Sequence, residues 1–127
     1  GEKTESILNQ TDANLFMCQV DKALIGQNRI TLFCPPLFES ELGFDYCLEK
    51  ILKLSQELTI PIFCVCDTRT QNAISSYMEQ NKTSSRLTYA SYSYWDDLSG
   101  LQNYVKDNDL LIFVFKSFTT NRLKRVF

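Results

Sequence analysis

The sequence predicts an α/β fold built on a doubly wound parallel sheet, and three observations carry that expectation. Asp109-Leu-Leu-Ile-Phe-Val-Phe-Lys116 is the longest run with no polar side chain between its ends, and such a run reads as a strand buried on both faces in the middle of a sheet covered by helices. From Arg29 onward the patterns alternate strand, helix, strand, helix, strand, helix, strand, an order whose crossovers are right-handed almost without exception. The 127 residues, 44% hydrophobic and 22% charged, are enough for one globular domain with a core that needs no staples or metals.

Taken in order, Thr4 to Gln10 reads as a short helix, with Thr4 as its cap and Ile7 and Leu8 on one side. Asn14-Leu-Phe-Met-Cys-Gln-Val20 reads as a strand, and Asp21 to Asn28 as a linker. Arg29 to Cys34 is a second strand, stopped by Pro35-Pro36 because neither proline donates to a sheet ladder. Ser40 is placed to cap a helix whose apolar positions Phe44, Leu48, Ile51, Leu52 and Leu58 fall at helical spacing, with Asp45, Glu49, Lys50 and Lys53 outward. Ile60 to Cys66 is the next strand, and Asp67 or Thr68 caps a helix with Ala73, Ile74, Tyr77 and Met78 on its inner side. After a polar loop from Gln80 to Arg86, Leu87 to Tyr94 mixes small polar and aromatic residues as an edge strand does. Trp95 to Lys106 reads as a helix weakened by Gly100, and Asp107-Asn-Asp109 turns the chain into the last strand.

Composition excludes several function classes. A formal net charge of −2 and a pI near 5.1 argue against a nucleic-acid-binding protein, which needs a positive excess to hold the backbone. Histidine is absent, which removes the commonest general base and the commonest metal ligand. No catalytic residue and no metal ligand set is assigned. Four of the five cysteines, Cys18, Cys34, Cys64 and Cys66, fall in strand-like runs and Cys47 on a helical pattern, as small core residues in a reducing compartment would. Cys64 and Cys66 share one face of a strand, unlike the C-x-x-C of a redox turn. No apolar stretch reaches the roughly 18 residues of a membrane span, so no direct membrane insertion of this piece is expected.

The order of elements, with a helix and strand closing the sheet, resembles the universal stress protein fold, a three-layer sandwich of the adenine nucleotide alpha hydrolase-like type. The resemblance is closest to the tandem region at the cytoplasmic C-terminus of bacterial sodium or cation/proton antiporters. It rests on Glu5-Ser-Ile-Leu-Asn-Gln-Thr11 followed by Leu15-Phe-Met-Cys18, on Arg29 to Pro36, and on Glu39-Ser-Glu-Leu-Gly-Phe44. Trp95-Asp96-Asp97 and Asp107-Asn-Asp-Leu-Leu111 complete it. The resemblance implies that residues 1–28 are the helix and strand tail of a preceding stress-protein-like unit. Residues 29–127 are then a second unit without its own closing helix and strand, the whole forming one compact body with residues 4–20 beside Asp109–Phe115, within the chain or exchanged with a neighbour. It further implies a cytosolic regulatory domain of an inner-membrane antiporter, with the membrane domain and a second copy of the chain as partners and no nucleic acid.

Ligands of doubly wound sheets collect past the carboxyl ends of central strands. Nucleotide-binding stress proteins carry there a G-x-x-G loop followed by Gly-Ser or Gly-Thr, which lets phosphate oxygens approach backbone N–H groups that a Cβ would obstruct. Here the loop reads Lys116-Ser-Phe-Thr-Thr-Asn-Arg122, without glycine, and Pro35 stands where an acidic residue commonly faces the adenosine. The candidate ligand-binding residues are therefore Pro35, Asp67, Lys116, Ser117, Thr119 and Arg122. No cofactor is expected, ATP or AMP being what the fold admits but the phosphate loop lacks the means to hold. Lys116, Arg122, Lys124 and Arg125 read as a solvated basic helix start, with a small-anion site as the alternative. Glu39 and Glu41 read as helix-dipole partners before a cation site, and Tyr89, Tyr92, Tyr94 and Trp95 as edge packing before a stacking platform.

Overall fold

The computed structural model describes the backbone of residues 3–5, 14–20, 28–95 and 98–116, and the side chains of 28–95 and 99–114. The elements are β1 (Lys3–Glu5), β2 (Asn14–Val20), β3 (Arg29–Phe33), α1 (Phe44–Leu58), β4 (Ile62–Val65), α2 (Thr68–Gln80), β5 (Leu87–Ala90), α3 (Leu98–Gln102) and β6 (Asp109–Lys116), with a 3-10 turn over Phe38–Ser40. The sheet order is β1-β2-β6-β3-β4-β5. Strands β6, β3, β4 and β5 are mutually parallel, so the α/β doubly wound expectation holds for these four.

The two faces of the sheet follow from the period of two along each strand. Ile30, Leu32, Ile62, Cys64, Leu110, Ile112 and Val114 point to the side covered by α1 and α2, where Phe44, Cys47, Leu48, Ile51, Leu52 and Ile74 complete the main core. Phe33 and Val65 point to the other side and meet Leu101 of α3, with Phe63, Leu111 and Phe113 half-buried around them. Phe33 stacks on its register partner Phe113 with ring centroids 4.6 Å apart. The chain passes from β3 to β4 to β5 in one direction and then returns past β3 to β6. With crossovers of one hand, that reversal puts α3 on the face opposite α1 and α2.

Several expectations need correction. Residues 3–5 are a strand paired antiparallel with Thr4 opposite Gln19, not the start of a helix; the rest of the expected 4–10 helix lies outside the described residues. A segment this short gains little from helical hydrogen bonds, whose nucleation is unfavourable. Strand β2 does lie beside β6 within the same chain, Phe16 opposite Val114, but antiparallel to it. The eight residues 21–28 are too few for a parallel crossover, which takes a dozen or more, so β2 ends on the edge of the sheet where β3 begins.

Helix α1 starts at Phe44 after Gly43, because Ser40 closes the preceding 3-10 turn instead of capping. The expected 95–106 helix contracts to α3, after which Tyr104 N–H and Val105 N–H bond back three residues to Leu101 and Gln102, the tighter pattern in which helices end. Strand β6 is central as expected, but only its α1/α2 face is fully buried, since α3 is too short to cover Leu111 and Phe113. The edge position of β5 and the cap at Asp67, whose carboxylate accepts the Thr70 N–H at 2.9 Å, match the reading of the sequence.

Candidate functional site

Because the four parallel strands stand in the chain order fourth, first, second, third, the winding reverses between β3 and β6, and the crevice outside their carboxyl ends is where such sheets take ligands. Chain leaving β3 first buries Cys34 and Pro35, with the Cys34 N–H donating to Val65 O at 3.0 Å. Leu37 follows in a left-handed conformation, φ 67°, uncommon for a bulky residue. The 3-10 turn then seats Phe38 in the core, edge-on to Phe44 at 5.0 Å, and turns Glu39 toward α2. There the Thr70 hydroxyl donates to Glu39 Oε1 at 2.6 Å while the Thr70 N–H donates to Asp67 Oδ1. Thr70 is fully buried and ties the loop after β3 to the first turn of α2.

Tyr92, just past β5, reaches the same place. Its buried hydroxyl has no hydrogen-bond partner among the described residues. Burial, then the nearby Asp67 carboxylate, with Cys34, Cys66 and Glu39 adding to it, push its pKa well above the ordinary phenol value. The ring tilts against Trp95 at 5.5 Å on the α3 side of the sheet, whereas Tyr89 packs on the α1/α2 side and Tyr94 is exposed. The aromatic run therefore forms no common stacking platform.

Behind this edge sit four buried free thiols, Cys34, Cys47, Cys64 and Cys66, with Cys34 Sγ 3.8 Å from Cys64 Sγ. Cys64 and Cys66 face the same core, as their spacing requires. Burial pushes the Cys34 and Cys47 thiols up; hydrogen bonding within the cluster, then burial, raises Cys64 and Cys66. Protonated, enclosed thiols are poor nucleophiles and poor metal ligands. Among the described residues no group of three or more His, Cys, Asp or Glu side chains is placed to hold a metal ion.

Of the candidate residues, the structure brings Pro35 and Asp67 to one edge, after the neighbouring strands β3 and β4, and places Lys116 at the end of β6 on that edge, opposite Asn14 of β2. Ser117, Thr119 and Arg122 lie outside the described residues, as do Lys124 and Arg125. Pro35 is buried, and one carboxylate oxygen of Asp67 accepts the Thr70 N–H. Thr70 and Leu37 were not singled out by the sequence, and Tyr92 only as part of an aromatic run: no periodicity or motif marks a hydroxyl whose partner is 31 residues away.

The opposite edge carries different chemistry. Asp109 accepts from Arg29 Nε at 3.0 Å, Arg29 Nη2 at 3.1 Å, the Thr31 hydroxyl at 2.8 Å and the Lys106 N–H at 2.8 Å. Arg29 also donates to Tyr104 O at 2.7 Å and lies 4.4 Å over the Phe63 ring. A shallow polar cavity of about 200 Å³ lies near the start of β4 and β5, lined by Ser55, Gln56, Thr59, Ile60 and Ser84 to Arg86. It opens at the carboxyl end of α1, where the helix dipole disfavours an anion despite Arg86.

Among the described residues no helix is long and apolar enough to cross a membrane. Comparison with protein-family models, with curated proteins and with solved structures gave no match.

Proposed function

We propose that this chain is a non-catalytic regulatory or interaction domain, of the universal stress protein-like kind attached to a bacterial cation/proton antiporter, that works in the cytosol and associates with a second copy of itself. The observation that carries the interaction reading is the position of the exposed apolar side chains. Leu37, Leu42, Tyr46 and Tyr94 are the exposed large hydrophobic residues among those described, and all belong to segments that follow the carboxyl ends of β3 or β5, Tyr46 in the first turn of α1. In a binding fold the carboxyl edge is the working surface. The attachment to an antiporter rests on the resemblance of the motifs alone; two of the residues in them, Arg29 and Asp109, also meet in an ion pair that joins the first and last parallel strands.

Self-association follows from unpaired strand edges, which template further strands. With β2 already seated beside β6, the edges left among the described strands are those of β1 and β5. Sedimentation velocity from micromolar to near-millimolar protein should show a monomer–dimer equilibrium, and a monomer throughout that range removes the dimer.

A second reading, a sensor domain binding a nucleotide or another small anion at this edge, is favoured by one observation, the buried and unpartnered Tyr92 hydroxyl beside Asp67 and Glu39. Those carboxylates suit a ligand's hydroxyl groups better than its phosphates. A thermal-shift series with ATP, ADP, AMP and cyclic dinucleotides tests it, because a ligand bound to the folded state raises Tm by mass action. No shift at millimolar ligand removes it.

A further inference from the structure

We infer that the carboxyl edge around the loop after β3 docks a basic, amphipathic polypeptide segment. The segment's apolar side chains would rest on Leu37, Leu42 and Tyr46, and its lysines or arginines would face Glu39, Glu41, Asp45 and Asp67. The inference deepens the interaction reading by naming the chemistry of the partner.

Single exposed apolar residues on a protein surface need no explanation. Three within ten residues of one loop are a different matter. Leu42 is 95% exposed, Leu37 46% and Tyr46 36%, although neighbouring Phe38 and Phe44 show that the loop and the first turn of α1 can bury apolar groups fully or nearly so. Leu37 is held outward by a left-handed backbone that a glycine would adopt at less cost. The fold thus keeps a bulky side chain in a disfavoured conformation while leaving nearly half of it exposed.

Charge then selects the partner. Among the described residues, the stretch 37–46 holds Glu39, Glu41 and Asp45 and no basic residue, and Thr70 links Glu39 to Asp67 beside it; the basic residues near this stretch are Lys50, Arg69 and Lys116. The resulting field steers cations in and turns anionic surfaces away. Tyr46 already holds Lys50 Nζ 5.1 Å from its ring centroid, so its face accepts a cation. Apolar contact within an acidic surround is the complement of a basic amphipathic segment. An anionic membrane meets the leucines favourably and the carboxylates unfavourably.

The test uses the full chain and three fluorescein-labelled synthetic peptides: one of leucine and lysine at helical spacing, a twin with every leucine replaced by serine, and a twin with every lysine replaced by glutamate. Fluorescence anisotropy should show binding of the first alone, weakened at least fivefold by Leu42→Ser and by the double change Glu39→Gln with Asp45→Asn, and weakened further as salt rises. Leu42 is almost wholly exposed, so the Leu42→Ser chain keeps its fold, which an unchanged Tm verifies. Amide shifts in 15N NMR should fall within residues 35–46, 67–70 and 91–94. No binding, equal binding of the serine twin, indifference to Leu42→Ser, or shifts at other residues would each overturn the inference. So would binding to phosphatidylcholine–phosphatidylglycerol vesicles by a chain that ignores the peptide. A monomer that captures the peptide supports the docking surface and removes only the self-association proposed above; a dimer that ignores it removes only the docking surface.

Discussion

Asp109 shows how one side chain can decide a stretch of sequence. Its carboxylate is 1% exposed and accepts four hydrogen bonds, three from Arg29 and Thr31 of β3 and one from the Lys106 N–H before β6. Burying a charge costs several kcal/mol unless it is paired and hydrogen-bonded, and removing one partner of a buried pair typically costs about 3–5 kcal/mol. Asp109→Ala should accordingly destabilise the chain by about 3 kcal/mol in urea unfolding with little change in slope, and a loss below about 1 kcal/mol would mean that solvent already serves this carboxylate. The sequence marked Arg29 and Asp109 as parts of weak motifs without saying that they touch, since 80 residues separate them. Leu37 carries the opposite lesson, because a left-handed leucine exposed beside two prolines leaves no periodic signal at all.

At the scale of elements, legibility tracked local physics. The spacing of Phe44, Leu48, Ile51 and Leu52 alone located α1 and its buried face, and the Asp67 carboxylate within reach of the Thr70 N–H located the start of α2. Starts and ends set by tertiary contacts were not legible: the 3-10 turn that displaced the cap of α1 depends on Phe38 entering the core. Thiol placement was readable from periodicity, and it has a consequence for stability. Cys34, Cys47, Cys64 and Cys66 join β3, α1 and β4, and all four are raised above the ordinary thiol value of 9.0. Above about pH 9 the unfolded chain releases these protons while the folded chain keeps them, so rising pH favours unfolding, by up to about 1.4 kcal/mol per thiol per pH unit. Below that pH both states hold the protons and the stabilisation is intact. Tyr89 and Tyr92, also raised, act in the same sense from about pH 10. The urea midpoint should fall steeply between pH 8.5 and 10.5, and Cys64→Ala should flatten the fall; a midpoint constant over this range contradicts the enclosure of the cluster.

For the molecule as a whole, the alternation of strands and helices was enough to predict four parallel strands, but the direction of β2 was not in the local pattern. Direction was decided by chain length, since residues 21–28 join β2 to β3 without the span a crossover needs. The outcome is a mixed sheet in which β6 has β3 parallel on one side and β2 antiparallel on the other. Both partners overlap along Leu111, Ile112 and Phe113, opposite Thr31 to Phe33 on one side and opposite Gln19 to Met17 on the other. Successive backbone groups of a strand point to alternate neighbours, so β3 alone can protect only every second amide of β6. With β2 in place, the amides of residues 111–113 should all exchange slowly, at rates set by global opening. Residue-resolved hydrogen exchange reads this directly. Fast exchange at alternate positions would mean that β2 does not close the sheet, and protection that appears only at high protein concentration would mean that β2 is supplied by a second copy. Protection independent of concentration fixes β2 in its own chain, which, among the described strands, confines any strand-mediated dimer to the outer edges of β1 and β5.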